Sequence, residues 1–291
     1  MIGGRTGILG VIGHPVSHSA SPAMHNAALA ATGLDYVYVA FDVPPEGAPA
    51  IGDAMRTLNI RGLNVTVPHK QAVMHCLDEV SPEAQAIGAV NTIDHRDGRL
   101  FGHNTDAYGI TASLCQDGRL AQLPPKAVLL GAGGAARAIL YALLATPEVE
   151  QIVLLNRTVP RAEQLATDLG GGSRVTVGAL TDSAQLADAG LVINSTAIGM
   201  EPHAGVSPLG DGAGLHDAMV VVDIVYKPLA TQLLQQARAV GARTVDGLGM
   251  LVHQGARAFE LWTGVVPPVD VMRSVIQLPH SQSPARAPTG P

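Results

Sequence analysis

Residues 127–137 read Ala-Val-Leu-Leu-Gly-Ala-Gly-Gly-Ala-Ala-Arg. An apolar run passes into a glycine-rich turn and then into helix formers, an order that few folds accommodate. It fits a buried strand handing over to a helix whose first turn sits against the strand end. Gly131, Gly133 and Ala136 match the spacing G-x-G-x-x-A. Gly131 makes the tight turn, Gly133 lets backbone N–H groups approach a pyrophosphate, and Ala136 lets helix and strand pack closely. The helix N-terminus adds partial positive charge, so a dinucleotide cofactor is expected here.

The next strand ends Leu154-Leu155-Asn156-Arg157-Thr158. An acidic residue at this place holds the ribose 2′-hydroxyl of NAD. Here Asn156 is neutral and Arg157 cationic, with Arg161 one helical turn further on. A carboxylate would repel a 2′-phosphate, whereas two guanidiniums grip it. The expectation is NADP rather than NAD, although a solvated arginine pair at a helix start reads the same way.

Strand and helix signals alternate along the rest of the chain. Residues 7–12 have the apolar run of a buried strand. Ser21-Pro22 opens a helix, with serine suited to the cap and proline to the first turn, and Gly33 stops it. A strand is expected at 36–41, a helix near 47–58, a strand at 62–67, and a helix from His69-Lys70 to about Leu77. Short strands at 89–93 and 99–102 flank the Asp97-Gly98 turn. From Ala127 a Rossmann series follows, with strands at 127–130, 151–155, near 174–177, 191–194, 219–224 and 243–245 and helices at 134–145, 160–169 and 229–240. An amphipathic helix, Met250–Trp262, and a last helix from near Pro268 complete it.

This pattern predicts an α/β chain of two domains with a cleft between them. An N-terminal β/α substrate domain takes residues 1–106 and 249–276, and a doubly wound Rossmann domain takes 107–248. Residues 277–291, rich in Pro, Ser and Ala, read as a disordered tail.

A chain of 291 residues has room for two cores. Hydrophobic residues make up 47% but aromatics only 3%, so those cores must be aliphatic. The net charge is −6 and the basic residues are scattered, which argues against nucleic acid as a partner. No run approaches the ~20 apolar residues that span a bilayer, and the N-terminus lacks a signal-peptide pattern. No membrane partner and a cytoplasmic location are therefore expected. Cys76 and Cys115 are far apart and read as free thiols. His14, His18, His25, His69, His75, His95 and His103 crowd the first block without a ligand spacing, so no metal is expected.

Several polar residues of the first block invite a second reading. The hydroxyls of Ser19 and Ser21 and the N–H groups of the helix they precede suit a carboxylate, or Ser21 simply caps that helix. Lys70 follows Pro68 near an expected helix start, where the dipole lowers an ammonium's pKa, or it is a surface lysine. Asp106, in Asn104-Thr105-Asp106, faces the cleft or caps a helix. Asn91 and Gln254 are neutral amides suited to hydroxyl groups or to buried backbone. His253 reads as a helix-surface or partly packed residue.

Taken together these segments resemble the shikimate dehydrogenase family, from Gly10 to about Trp262. The resemblance rests on His18-Ser19-Ala20-Ser21-Pro22, Asn64–Lys70, Gly88-Ala89-Val90-Asn91-Thr92, Gly102–Asp106, Gly131–Arg137, Asn156-Arg157-Thr158, Asn194-Ser195-Thr196, Asp223–Tyr226 and Gly247–Gln254. It implies reversible, NADP-dependent reduction of 3-dehydroshikimate to shikimate in aromatic amino-acid biosynthesis. Lys70 and Asp106 then correspond to the catalytic pair, and Ser19 and Ser21, with Tyr226 nearby, to the carboxylate site. Asn64, Thr66, Lys70, Asn91, Asp106 and Gln254 correspond to substrate contacts. Gly131, Ala132, Gly133, Gly134, Ala135, Asn156, Arg157, Thr158, Arg161, Ile224 and Gly247 correspond to cofactor contacts. Monomer and homodimer both stay open.

The chemistry is consistent without the family name. When hydride leaves a carbinol carbon, a proton must leave its oxygen. A lysine and an aspartate across a cleft can share that proton, and the cation stabilises a developing alkoxide. Lys70 is expected to be the main proton-transfer group, with Asp106 orienting it. A quinate/shikimate dehydrogenase of broader substrate and cofactor use is the nearest alternative, and the basic strand end argues against its NAD preference. A non-catalytic module of the same fold would be marked by loss of Lys70 or Asp106, and both are present. A folate-type or glutamyl-tRNA-type reductase fits the cofactor half but not the first block.

Overall fold

The computed structural model of the protein describes residues 2–277. In the first of its two six-stranded sheets, β1 (Gly7–Gly13) lies between β2 (Tyr36–Asp42) and β3 (Ile60–Val65), all parallel. The short β4 (Glu79–Val80) forms the far edge of that sheet. Between them, β5 (Thr92–Arg96) runs antiparallel to β3 and forms a hairpin with β6 (Arg99–His103). Asp97 and Gly98 at the tip both have positive φ, 51° and 76°, the pair that a two-residue turn of this hand requires. Helices α1 (Ser21–Thr32), α2 (Ile51–Thr57), α3 (Pro82–Ile87) and α4 (Asp106–Ala112) complete this half.

Three expectations for this half need correction. The helix near 47–58 is broken: Pro45–Ala50 form a 3₁₀ turn and α2 starts only at Ile51, since Pro49 has no N–H to continue an α-helical ladder. The helix from Lys70 to Leu77 is only a 3₁₀ turn, Ala72–Cys76. Its backbone is claimed by neighbours instead, with the Lys70 carbonyl accepting from Val90 N at 2.8 Å. The strand placed at 89–93 begins at Thr92, because Ala89 and Gly88 close the end of α3 by donating to the Ala84 carbonyl. The sequence pattern also missed β4 and α3, each too short to show a period.

The second sheet has the order β12-β11-β10-β7-β8-β9 and is parallel throughout. Its strands are β7 (Lys126–Leu130), β8 (Gln151–Asn156), β9 (Val175–Ala179), β10 (Leu191–Asn194), β11 (Val220–Asp223) and β12 (Arg243–Val245). Leu129, Ile152, Leu154 and Ile193 face one core, while Val128, Leu130, Val153 and Val192 face another. Burial on both faces explains why these strands read as unbroken apolar runs rather than alternating ones. The order reverses between β7 and β10, where open α/β sheets place their ligand crevice. Helices α5 (Gly134–Leu144), α6 (Val159–Asp168) and α7 (Gln232–Ala239) belong to this sheet. The last starts later than expected because the Thr231 hydroxyl caps it at Leu234 N and also donates to the buried Asp223 carboxylate at 2.7 Å.

Helix α8 (Leu248–Thr263) returns the chain to the first sheet, and α9 (Val269–Gln277) follows it. Gln277, expected in the tail, is the last residue of α9; the rest of that tail lies outside the described residues. Leu248, Val252, Phe259 and Trp262 pack with Leu9, Val11 and Met24 of the first half, whereas Met250 joins the core of the second sheet with Ile110 of α4. The Trp262 indole donates to the Ile93 carbonyl at 2.9 Å and lies flat against Gly62, where an added Cβ would come within 2.3 Å of the ring nitrogen. Gly62→Ala should therefore destabilise the fold by about 1–3 kcal/mol. Urea unfolding should show a lower midpoint at unchanged slope.

Candidate active site

A cavity of about 200 Å³ lies where the two halves meet. The first half contributes Ser19, Ser21, Asn64, Thr66, Lys70, Asn91 and Asp106, and α8 contributes Met250, Leu251 and Gln254. The second sheet contributes Ala135 at the start of α5, Ile224 and Tyr226 after β11, and Gly247 after β12. Val11, Pro15, Val16, His18 and Val65 complete the wall and were not foreseen from the sequence.

Lys70 and Asp106 form an ion pair inside this cavity, Nζ to Oδ2 at 2.5 Å. Their side chains are only 15% and 8% exposed. The other carboxylate oxygen of Asp106 accepts from Asn91 Nδ2 at 2.8 Å. Asn91 is itself held, since its Oδ1 accepts from Thr105 N at 2.7 Å. Asn104 Oδ1 accepts from Asp106 N at 3.0 Å and so fixes the start of α4. The Asn104-Thr105-Asp106 run is thus one device for aiming a carboxylate. The expected helix dipole at Lys70 has no counterpart, because no α-helix starts there. What faces the ammonium is the carboxylate, while the Lys70 stem passes Gly134, where an added Cβ would lie 3.7 Å from Lys70 Cδ.

Ser21 does not cap α1 with its side chain; its own N–H donates to Ser19 Oγ at 3.3 Å. Both hydroxyls line the cavity, as does Tyr226, whose phenol sits against the Ala20 backbone and is raised above its ordinary pKa by burial. The Thr66 methyl packs on Gly13, where an added Cβ would come within 2.4 Å. Gln254 lines the far wall and donates to the Leu251 carbonyl at 2.8 Å.

The glycine turn has the features of a phosphate cradle. Gly131 has φ +106°, and an added Cβ would meet Ser195 Oγ at 2.8 Å. Gly133 is extended, and a Cβ there would find nothing within 4 Å, so space is open before α5. No side chain caps α5, which leaves its first N–H groups, from Gly134 and Ala135, available. Ala132 continues the turn, and Ala136 is fully buried against the sheet. Asn156 folds over the next strand end, donating to the Thr158 carbonyl at 2.8 Å. Arg157, Thr158 and Arg161 are exposed. Neither arginine is ion-paired among the described residues, whereas Arg137 is paired with Asp168 at 2.9 Å. Gly247 touches the Ile224 carbonyl so closely that a Cβ would lie 2.3 Å from it. Among the described residues, no group of three or more His, Cys, Asp or Glu side chains is placed to hold a metal, and no helix is long and apolar enough to cross a membrane.

Three family models match this chain in succession. They are the shikimate dehydrogenase substrate binding domain at residues 11–93, shikimate / quinate 5-dehydrogenase at 119–248, and the shikimate 5′-dehydrogenase C-terminal domain at 247–277. A shikimate dehydrogenase (NADP(+)) of Symbiobacterium thermophilum is 51% identical over 92% of each chain. The crystal structure of shikimate 5-dehydrogenase from Thermus thermophilus in complex with NADP(H) and shikimate is 42% identical, with a TM-score of 0.83 over 93% of this chain and 98% of that one. A quinate dehydrogenase from Corynebacterium glutamicum in complex with NAD is 36% identical, with a TM-score of 0.85 over 93% and 98%. The chain belongs to the shikimate dehydrogenase family.

Two histidines differ from their sequence reading or escaped it. His253, read as a helix-surface or partly packed residue, is buried, with Nε2 3.4 Å from Asp117 Oδ2. His25 is fully buried behind the cavity, and neither ring nitrogen has a hydrogen-bond partner. Burial pushes its pKa down to about 3, opposed by the nearby Asn64 amide. In the unfolded chain the ring takes up a proton near pH 6.5, whereas the folded protein resists it until about pH 3. Between those values the unfolded state binds more protons, so stability falls as pH falls, by about 1.4 kcal/mol per pH unit from this group. His25→Phe should flatten the slope of unfolding free energy between pH 6 and pH 4 by about that amount. Urea titrations of both proteins across that range measure it.

Proposed function

We propose that this chain is an NADP-dependent shikimate dehydrogenase, reversibly reducing 3-dehydroshikimate to shikimate in aromatic amino-acid biosynthesis. The observation that carries the reading is the Lys70–Asp106 pair, 2.5 Å apart in a cavity whose opposite wall is made by the glycine-turn helix, Ile224 and Gly247. In this reading the catalytic groups are Lys70 and Asp106. Ser19, Ser21 and Tyr226 take the substrate carboxylate. Asn64, Thr66, Asn91 and Gln254 take its hydroxyls. Residues 131–135 cradle the pyrophosphate, Asn156, Arg157, Thr158 and Arg161 bind the 2′-phosphate end, and Ile224 and Gly247 flank the nicotinamide. The domain division that goes with it is 1–106 with 249–276, against 107–248, in a cytoplasmic monomer or homodimer.

NADP supplies or accepts the hydride. The protein's own task is the proton. Lys70 donates it to the carbonyl oxygen as that oxygen gains charge, and recovers it in the reverse direction. The ammonium also stabilises the developing alkoxide. Asp106 holds Lys70 on the substrate side, and Asn91 holds Asp106. The sparse exposure of the pair strengthens both effects, since water does not screen them.

Initial rates with shikimate and NADP test the reading directly. Lys70→Ala should lower kcat by about 10²–10⁴ with little change in the KM for shikimate. A change confined to KM would make Lys70 a binding group only. Arg157→Asp should reduce kcat/KM for NADP about tenfold or more and leave NAD much less affected. Equal use of NADP and NAD by the unmutated protein would overturn the 2′-phosphate argument.

A further inference from the structure

Behind the substrate wall lies a fully buried side chain that never reaches the cavity. Tyr38, on β2, is 1% exposed, and its hydroxyl donates to Asn64 Oδ1 at 2.7 Å. The orientation of the Asn64 amide is set by its other end. Nδ2 faces the Asn91 carbonyl at 3.3 Å, and a carbonyl only accepts, so the oxygen must point at Tyr38. The Tyr38 proton is therefore committed to Asn64. Asn64 belongs to β3 and lines the cavity.

The Tyr38 ring is itself clamped. His25 stacks on it face to face, with centroids 4.3 Å apart and planes 8° from parallel, and Trp262 leans on it at 6.2 Å. A phenol so held is a fixed post behind Asn64.

We propose that Tyr38 is a positioning residue for the substrate, which it never touches: it holds the Asn64 amide at the angle that a substrate hydroxyl requires. This rests on the reading of the cavity as the substrate site. Without the phenol the Asn64 amide keeps only its long contacts, 3.3 Å to Asn91 O and 3.2 Å to Thr92 Oγ1, and loses its fixed angle.

Tyr38→Phe tests it, because the ring stays in its stack and only the hydroxyl leaves. Measured with shikimate and NADP, the KM for shikimate should rise about tenfold, the size of one lost buried hydrogen bond. The KM for NADP should stay unchanged. A merely structural role would move both constants. The second arm is the cycle with Asn64→Ala and the double variant. If Tyr38 acts through Asn64, adding Tyr38→Phe to Asn64→Ala should change the shikimate KM by less than about twofold. An unchanged shikimate KM in Tyr38→Phe, an undiminished effect in the Asn64→Ala background, or a Tyr38→Phe chain that does not fold would each overturn the proposal, the last by making Tyr38 a stability residue. Absence of shikimate oxidation in the unmutated protein would instead sink the reading of the site.

Discussion

The ion pair between Lys70 and Asp106 is the contact around which the molecule is arranged. Taking two charges largely out of water is costly, and a pair so placed persists only if its remaining hydrogen-bonding capacity is met. Asp106 meets that condition through Asn91, whose side chain is fixed in turn by Thr105, while Asn104 anchors the Asp106 backbone. Lys70 is tied at its own carbonyl to Val90, one residue before Asn91. The loop after β3, the approach to β5 and the start of α4 thus form one closed circuit. Displacing any of them would leave a charge without its partner.

The same circuit explains why two sheets are needed. The half with the mixed sheet supplies the Lys70–Asp106 pair, and the parallel sheet supplies the glycine turn at the point where its strand order reverses. Helix α8 fixes the distance between them. Its N-cap, Gly247, is pressed on the Ile224 carbonyl, and Trp262 in its last turn rests on the first sheet, so it is seated at both ends. Its cavity-facing residues, Met250, Leu251 and Gln254, are set by that seating.

Much of this was legible in the sequence, for identifiable reasons. The parallel strands announced themselves because burial on both faces leaves only apolar residues. Gly131 was legible because a turn with φ +106° admits little but glycine. The segment around Lys70 was misread as a helix because local spacing does not reveal that Val90 claims its backbone. Tyr38 was read only as part of a strand, since nothing local marks a tyrosine whose partners lie on other elements. His253, read as a helix-surface or partly packed residue, is buried beside Asp117, a neighbour far away in the chain that local spacing does not reveal. What the sequence hid was long-range hydrogen bonding, and the site depends on it.

Helix starts in this chain differ in how their first N–H groups are met. α3 and α7 begin with side-chain caps, Ser81 and Thr231, and neither lines the cavity. α5 and α6 follow Gly133 and Thr158 with no side-chain cap. A free helix start costs stability, about 1 kcal/mol against a good cap, unless something else fills it. These two starts coincide with the turn proposed for the pyrophosphate and with the arginines proposed for the 2′-phosphate. α1, α4 and α8 take a middle course: their first N–H groups are met by Ser19, Asn104 and Asp246, side chains two residues upstream. That arrangement leaves Ser21 and Asp106, the first residues of two of these helices, turned toward the cavity.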